Sequence, residues 1–127
     1  MQTGYLTVEL IIALVVGALL ILSLNNIVVS QGYLAQRGRD QSTANAFAEQ
    51  KFEALRSQGY LSLTNGTTSL TNELPSELKR PRSASLVISS QSAALKKVHL
   101  TVTYSEQGKT RTHAYITYIG ELGVGQF

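Results

Sequence analysis

An uncharged apolar run near the start of the chain constrains the fold more than any other feature. Residues 10–24 contain no charged side chain, and the run extends to residue 29 with only Ser23, Asn25 and Asn26 as interruptions. It then reaches about 20 residues, enough for a helix to cross a hydrocarbon layer about 30 Å thick. We therefore predict a membrane-spanning helix over residues 5–30.

The segments on either side of this run do not have the form of an ordinary secretory signal. Such a signal has a basic region before the apolar run and a small-residue cleavage site after it. Met1, Gln2 and Thr3 carry no basic side chain, and no clear cleavage motif follows residue 29. We expect the apolar helix to remain in the mature protein.

The pattern after the apolar run predicts that the helix continues with one apolar face. Residues 31–58 contain no proline, and the apolar residues recur at spacings of three and four: Ala44, Phe47, Ala48, Phe52 and Leu55. Gly59 is a suitable stop. We predict one nearly continuous helix over residues 5–58, with 31–59 as its amphipathic part and Phe47, Phe52 and Leu55 packed on a sheet. A stripe for a separate partner helix is the alternative. Gly32 and Gly38 allow either local loosening of the helix or ordinary helix curvature in this region.

The remainder of the chain predicts a loop followed by a small sheet. Residues 60–83 are rich in Thr, Ser, Asn and Pro and are predicted as a variable loop. Strands are expected near 84–90, 97–105 and 110–119, with a hairpin turn at 106–109, and a C-terminal tail completes the segment 84–127. Alternation places Val98, Leu100, Val102 and Tyr104 on one face of the second strand, and Ala114, Ile116 and Tyr118 on one face of the third.

A sheet with one apolar face needs a cover, and the amphipathic part of the helix can supply it. The expected fold class is therefore α+β: one long N-terminal helix packed by its C-terminal half on an antiparallel three-stranded meander.

Residue types that commonly act in catalysis or metal binding are sparse in this chain. It has no cysteine and two histidines, His99 and His113, which could be cross-strand neighbours but have no accompanying cluster of carboxylates. No serine lies in a nucleophile motif, and no glycine-rich phosphate loop is present. We predict no enzymatic activity, no catalytic or metal-binding residue and no cofactor.

The formal net charge of +3 is too small to indicate a nucleic-acid partner by itself. Two basic clusters, Arg37 with Arg39 and the group Lys79, Arg80 and Arg82, are interpreted as solvated surface, with phosphate contact as the alternative.

The first ten residues resemble a known processing signal. Gly4, Glu9 and the apolar run fall in the register of the class III signal of type IV pilins and pseudopilins. The resemblance implies that a prepilin peptidase removes the leader, residues 1–4, by cutting between Gly4 and Tyr5. It also implies methylation of the new Tyr5 amine, and a role for Glu9 in docking the subunit during assembly.

The later part of the chain is similar to the same family. Residues 49–56 and the stretches 96–104 and 115–119 resemble the helix end and C-terminal sheet of minor pilins and minor pseudopilins of type II secretion. The lack of a C-terminal cysteine pair favours these over major pilins. The implied partners are other pilin subunits, the prepilin peptidase, an inner-membrane assembly platform and membrane lipid before assembly.

The resemblance implies a single-pass protein of the cytoplasmic membrane with an exported C-terminal domain, which enters an extracellular or periplasmic filament. We expect a minor pilin of a type IV pilus-like filament. The alternatives are a type II secretion minor pseudopilin and a single-pass membrane protein with a small exported binding domain that never assembles.

Overall fold

The structure of the chain, a computed structural model, describes residues 3–121. These residues form one long helix and a four-stranded antiparallel sheet, so the fold class is α+β as predicted. The chain divides into two units, residues 1–36 and residues 37–127. The first unit is helical throughout its described part, and the second holds the rest of the helix together with the sheet.

The helix, α1, runs from Thr3 to Gln58 without interruption. It ends at Gly59, whose φ of 83° lies in the left-handed region that glycine occupies at little cost. The Gly59 amide still donates to the carbonyl of Arg56 over 3.1 Å, which satisfies one of the last free carbonyls of the helix. The predicted single helix and its end at residue 58 are confirmed.

The sheet follows chain order as a meander. Its strands are β1 (Gly66–Ser69), β2 (Lys79–Ser92), β3 (Leu95–Glu106) and β4 (Lys109–Gly120), and each pairs antiparallel with the next. Two short 3₁₀ helices, Tyr60–Ser62 and Thr71–Glu73, lie before and after β1.

The prediction of three strands was wrong, because β1 lies inside the segment expected to be a loop and β2 begins there as well. All four residues of β1 are exposed and none is a large apolar residue, so no hydrophobic alternation marks the strand. Backbone pairing with residues 85–88 of β2 defines it instead.

The turn between β3 and β4 decides which face of β4 is buried. Gln107 and Gly108 have φ values of 52° and 76° and form a two-residue loop, so that Glu106 pairs with Lys109. This register places odd-numbered residues of β4 beside the buried even-numbered residues of β3, as in the pair Leu100 and Tyr115.

Ala114, Ile116 and Tyr118 share one face of β4, as predicted, but that face is not the covered one. Their side chains are exposed, with Ile116 at 50% and Tyr118 at 44%. The covered face of β4 carries Tyr115 and Ile119 instead.

The core of the second unit lies between the helix and the sheet. Phe47 and Phe52 are buried in it, and Leu55 packs against it. The remaining buried apolar residues are Ala44, Ala48, Leu63, Leu70, Leu74, Leu78, Ala84, Leu86, Val98, Leu100, Val102, Tyr104 and Ile119. The four inward residues predicted for β3 are all among them.

Polar contacts at the edge of this core fix the helix to β4 and to the segment before β2. The Tyr115 hydroxyl donates to Asn45 Oδ1 over 2.7 Å, and Arg56 donates to the hydroxyl of Thr117 over 3.0 Å. Lys51 pairs with Glu73.

Candidate membrane and assembly segment

The three residues singled out by the N-terminal motif lie in the first turns of α1. Tyr5 is 84% exposed, and Gly4 and Glu9 are exposed as well. Tyr5 and Glu9 are four residues apart, so they share one face of the helix. With Val8 and Ile12 they line a shallow open groove along that face.

The first unit exposes its apolar side chains on all sides. Every large apolar side chain from Tyr5 to Leu34 is between 49% and 84% exposed. Covering one such side chain typically contributes about 1.5–3 kcal/mol, so a surface of this extent requires lipid or protein around it. The helix is long and apolar enough to span a membrane.

The polar groups of this segment are compatible with a lipid environment. The backbone is helical over all of its described residues, which satisfies the amide groups beyond the first turn internally. Ser23 donates its hydroxyl to the carbonyl of Leu19, one turn earlier, over 2.8 Å.

Glu9 is the exception, because it is the only charged side chain in residues 1–36. No lysine, arginine or histidine occurs before Arg37, which is 28 positions further along the chain. A charged side chain in a bilayer costs a few kcal/mol and usually has a partner. A cation that pairs with Glu9 in the bilayer must therefore be an N-terminal amine or belong to another molecule.

The second unit begins with a buried polar cluster that the sequence interpretation missed. Asp40 and Glu106 are each only 4% exposed. Arg111 donates to Glu106 over 2.8 Å, and Arg37 lies 3.9 Å from the other carboxylate oxygen. The Oδ2 atom of Asp40 has no hydrogen-bond partner among the described residues.

Tyr104 lies beside these carboxylates, 1% exposed, and its hydroxyl is 3.1 Å from Nε2 of His113. Burial raises the pKa of Tyr104, and the negative charges of Glu106 and Asp40 raise it further. Burial also raises the pKa of Tyr115.

Both missed acidic residues continue patterns visible in the sequence. Asp40 precedes Ala44 by four residues and so extends the buried stripe of the helix by one turn. Glu106 continues the inward alternation that includes Val102 and Tyr104 on β3.

The two histidines are not cross-strand neighbours, contrary to the possibility raised by the sequence. His99 is opposite Ile116 on the outer face of the sheet, whereas His113 is opposite Val102 on the covered face. Residues 3–121 contain no group of three or more His, Asp or Glu side chains arranged to hold a metal ion.

Comparison with protein-family models, with curated proteins and with solved structures gave no match.

Proposed function

We propose that this chain is a membrane-anchored pilin-like subunit, cut between Gly4 and Tyr5 and assembled through α1 into a filament as a minor pilin. The observation that carries the proposal is Glu9, a single carboxylate at the head of an uncharged apolar helix. The exposed apolar surface of the same helix supports it, since that surface suits lipid before assembly and neighbouring helices after assembly.

The proposed cut creates the cation that Glu9 lacks. Removal of residues 1–4 leaves a positively charged α-amine on Tyr5, and methylation of that amine preserves its charge. In the proposed filament, the amine of one subunit pairs with Glu9 of the next, and each group offsets the desolvation cost of the other. The pair forms only at one axial offset between helices, so it selects the stacking register more than it adds stability.

The second unit is the exported part of the proposed subunit. Its core is closed by the amphipathic part of α1, so the fold of this unit does not depend on Glu9. We therefore assign membrane insertion and assembly to the first unit, and contact with the surroundings to the exposed residues of the segment before β2.

A pair of matched substitutions tests the assembly role. Leucine is more favourable than glutamate in a membrane, so Glu9→Leu should accumulate in the membrane and be trimmed normally. It should also be lost from sheared filament fractions, because the charge that sets the offset is gone. Glu49→Leu makes the same change at an exposed position of α1 in the second unit and should be incorporated like the unaltered protein.

The measurement is the amount of each variant in membranes and in purified filaments, in cells that make pili or secretion pseudopili. Incorporation of Glu9→Leu at the level of the unaltered protein would contradict the assembly role. Incorporation only into filaments of the secretion machinery would identify the chain as a pseudopilin. Failure of the unaltered chain to enter either filament would favour a single-pass membrane protein that does not assemble.

A further inference from the structure

Most basic side chains of the second unit gather at the end where the chain enters it from the apolar segment. Arg37 is the first residue of the unit and lies 3.9 Å from Glu106, at the end of β3. Strand pairing brings the start of β2 and of β4 to the same end, because Lys79 is opposite Ser105 and Lys109 is opposite Glu106. We name this end the basic rim, which comprises Arg37 and Arg39 of the helix and Lys79, Arg80, Arg82, Lys109 and Arg111 of the sheet.

The charge of the unit is concentrated in the rim. The rim holds seven of the eleven lysines and arginines of the chain, against three carboxylates, those of Asp40, Glu77 and Glu106. The rest of the unit holds four basic and four acidic side chains and is formally neutral. The excess of four positive charges therefore lies at one end.

The acidic residues of the rim leave most of its sheet cations, though not Arg111, without an ion pair. Glu106 is buried and contacts Arg111 and Arg37. Within residues 3–121, no carboxylate forms an ion pair with Lys79, Arg80 or Lys109.

Arg80 and Arg82 also line an open groove of about 420 Å³ with Thr71, Asn72 and Pro81. This groove offers guanidinium, hydroxyl and amide groups together, which suits a phosphate oxygen acceptor.

Chain connectivity limits how far Arg37 of this rim can lie from the bilayer once the apolar run is inserted. Residues 30–36 separate the run from Arg37, and seven helical residues rise by about 10 Å. The headgroup region beyond the hydrocarbon is about 5–7 Å deep on each side. Charges at this height lie within about one Debye length of the surface, which is about 8 Å at physiological salt.

We propose that the basic rim binds the phosphate headgroups of anionic phospholipid while the subunit resides in the membrane. The inference rests on the membrane segment of the proposed function, but not on cleavage or filament assembly. Nucleic acid is less favoured as the partner, because the rim is covalently adjacent to the apolar run.

The test uses the full chain in vesicles, with a neutral fluorophore attached to a single introduced cysteine. The chain has no native cysteine, so labelling is specific. Ser83→Cys places the label near the rim, opposite Thr103, and Ser92→Cys places it at the far end of β2, opposite Leu95. Both serines are exposed, and they are about 30 Å apart along an extended strand.

The readout is quenching by a phosphatidylcholine that carries a nitroxide on its headgroup. With phosphatidylglycerol in the vesicle, we expect the label at position 83 to be quenched more than the label at position 92. The difference should disappear in pure phosphatidylcholine and at 1 M salt, where the Debye length falls to about 3 Å. Loss of one rim charge by Arg80→Gln should lower the ratio of docked to undocked chains about fivefold. Lys97→Gln, remote from the rim, is the matched control.

Three results would overturn the inference or its basis. Equal quenching at the two positions, or quenching that does not change with phosphatidylglycerol content or salt, would refute headgroup binding. This conclusion requires that the chain co-floats with the vesicles in a density gradient, which shows that it is inserted. Binding of a double-stranded oligonucleotide in phosphatidylcholine vesicles, lost in Arg80→Gln, would assign the rim to nucleic acid instead. Failure of the chain to co-float with the vesicles would show that residues 5–30 do not insert into a bilayer, and this result would also refute headgroup binding by the rim.

Discussion

Two isoleucines on β4 provide a matched test of which face of the sheet the helix covers. Ile119 is 3% exposed and belongs to the core, whereas Ile116 is 50% exposed on the outer face. The two residues are three positions apart on the same strand. Ile119→Ala and Ile116→Ala therefore make the same chemical change on opposite faces.

The structure gives the size of the expected difference. Truncation of a buried isoleucine to alanine typically costs about 2–5 kcal/mol, because a cavity remains after the transfer energy is lost. At a half-exposed site no cavity forms, and the truncation loses only about half of the free energy gained by full burial, which is about 1 kcal/mol. The lower strand propensity of alanine affects both variants and cancels in the comparison. We expect Ile119→Ala to be about 1–4 kcal/mol less stable than Ile116→Ala.

Thermal unfolding of the full chain in detergent micelles measures this difference. The near-ultraviolet circular dichroism of tyrosine reports mainly on the second unit, since the chain contains no tryptophan and four of its six tyrosines lie in that unit. For a domain of this size, 1 kcal/mol shifts the melting temperature by about 4–8 °C. Equal melting temperatures, or a lower one for Ile116→Ala, would contradict the burial of Ile119 on the covered face and the β3–β4 register that places it there.

The pH dependence and the orientation of the second unit are also predictable. Because burial holds the pKa of Tyr104 and of Tyr115 above the ordinary value of 10.0, the folded chain keeps protons that the unfolded chain releases, and stability should fall as pH rises past about 10. A spectrophotometric titration of phenolate should show late ionisation that diminishes in Tyr104→Phe; simultaneous ionisation of all the tyrosines in the folded chain would contradict this. In intact cells, Ser92→Cys should react with a membrane-impermeant maleimide, as expected for an exported unit. Protection would indicate a cytoplasmic unit, the orientation that the positive-inside rule alone favours for Arg37 and Arg39.

Hydrophobic periodicity predicted the helix and the buried face of β3. The helix and its end at Gln58 followed from an uninterrupted apolar pattern and a glycine stop, and the inward face of β3 followed from strict alternation. β1 could not be found in this way, because Gly66, Thr67, Thr68 and Ser69 are all exposed and join the sheet through backbone pairing.

The covered face of β4 could not be identified from composition. Both faces of this strand carry apolar or aromatic residues, so composition does not distinguish them. The two-residue loop at Gln107 and Gly108 does, since it fixes Glu106 opposite Lys109 and determines every later pair. The hairpin turn was predicted, and its register would have identified Tyr115 and Ile119 as the inward residues.

The candidate assembly residue could be recognised from the sequence, but the basic rim could not. Glu9 is informative because of what surrounds it along the chain: an uncharged helix without a basic residue before Arg37. The basic rim could not be predicted in the same manner, since Lys79 and Lys109 come together only through strand pairing, and Arg37 joins them only through its contact with Glu106.

Mass spectrometry of the mature N-terminus tests the central claim most directly. The full chain is produced with and without a prepilin peptidase, alongside the variant Gly4→Leu. We expect the unaltered chain to lose residues 1–4 and gain one methyl group on Tyr5 only when the peptidase is present, and Gly4→Leu to remain uncut in the membrane. An intact N-terminus in the presence of the peptidase, or the same mature mass for Gly4→Leu as for the unaltered chain, would contradict processing between Gly4 and Tyr5.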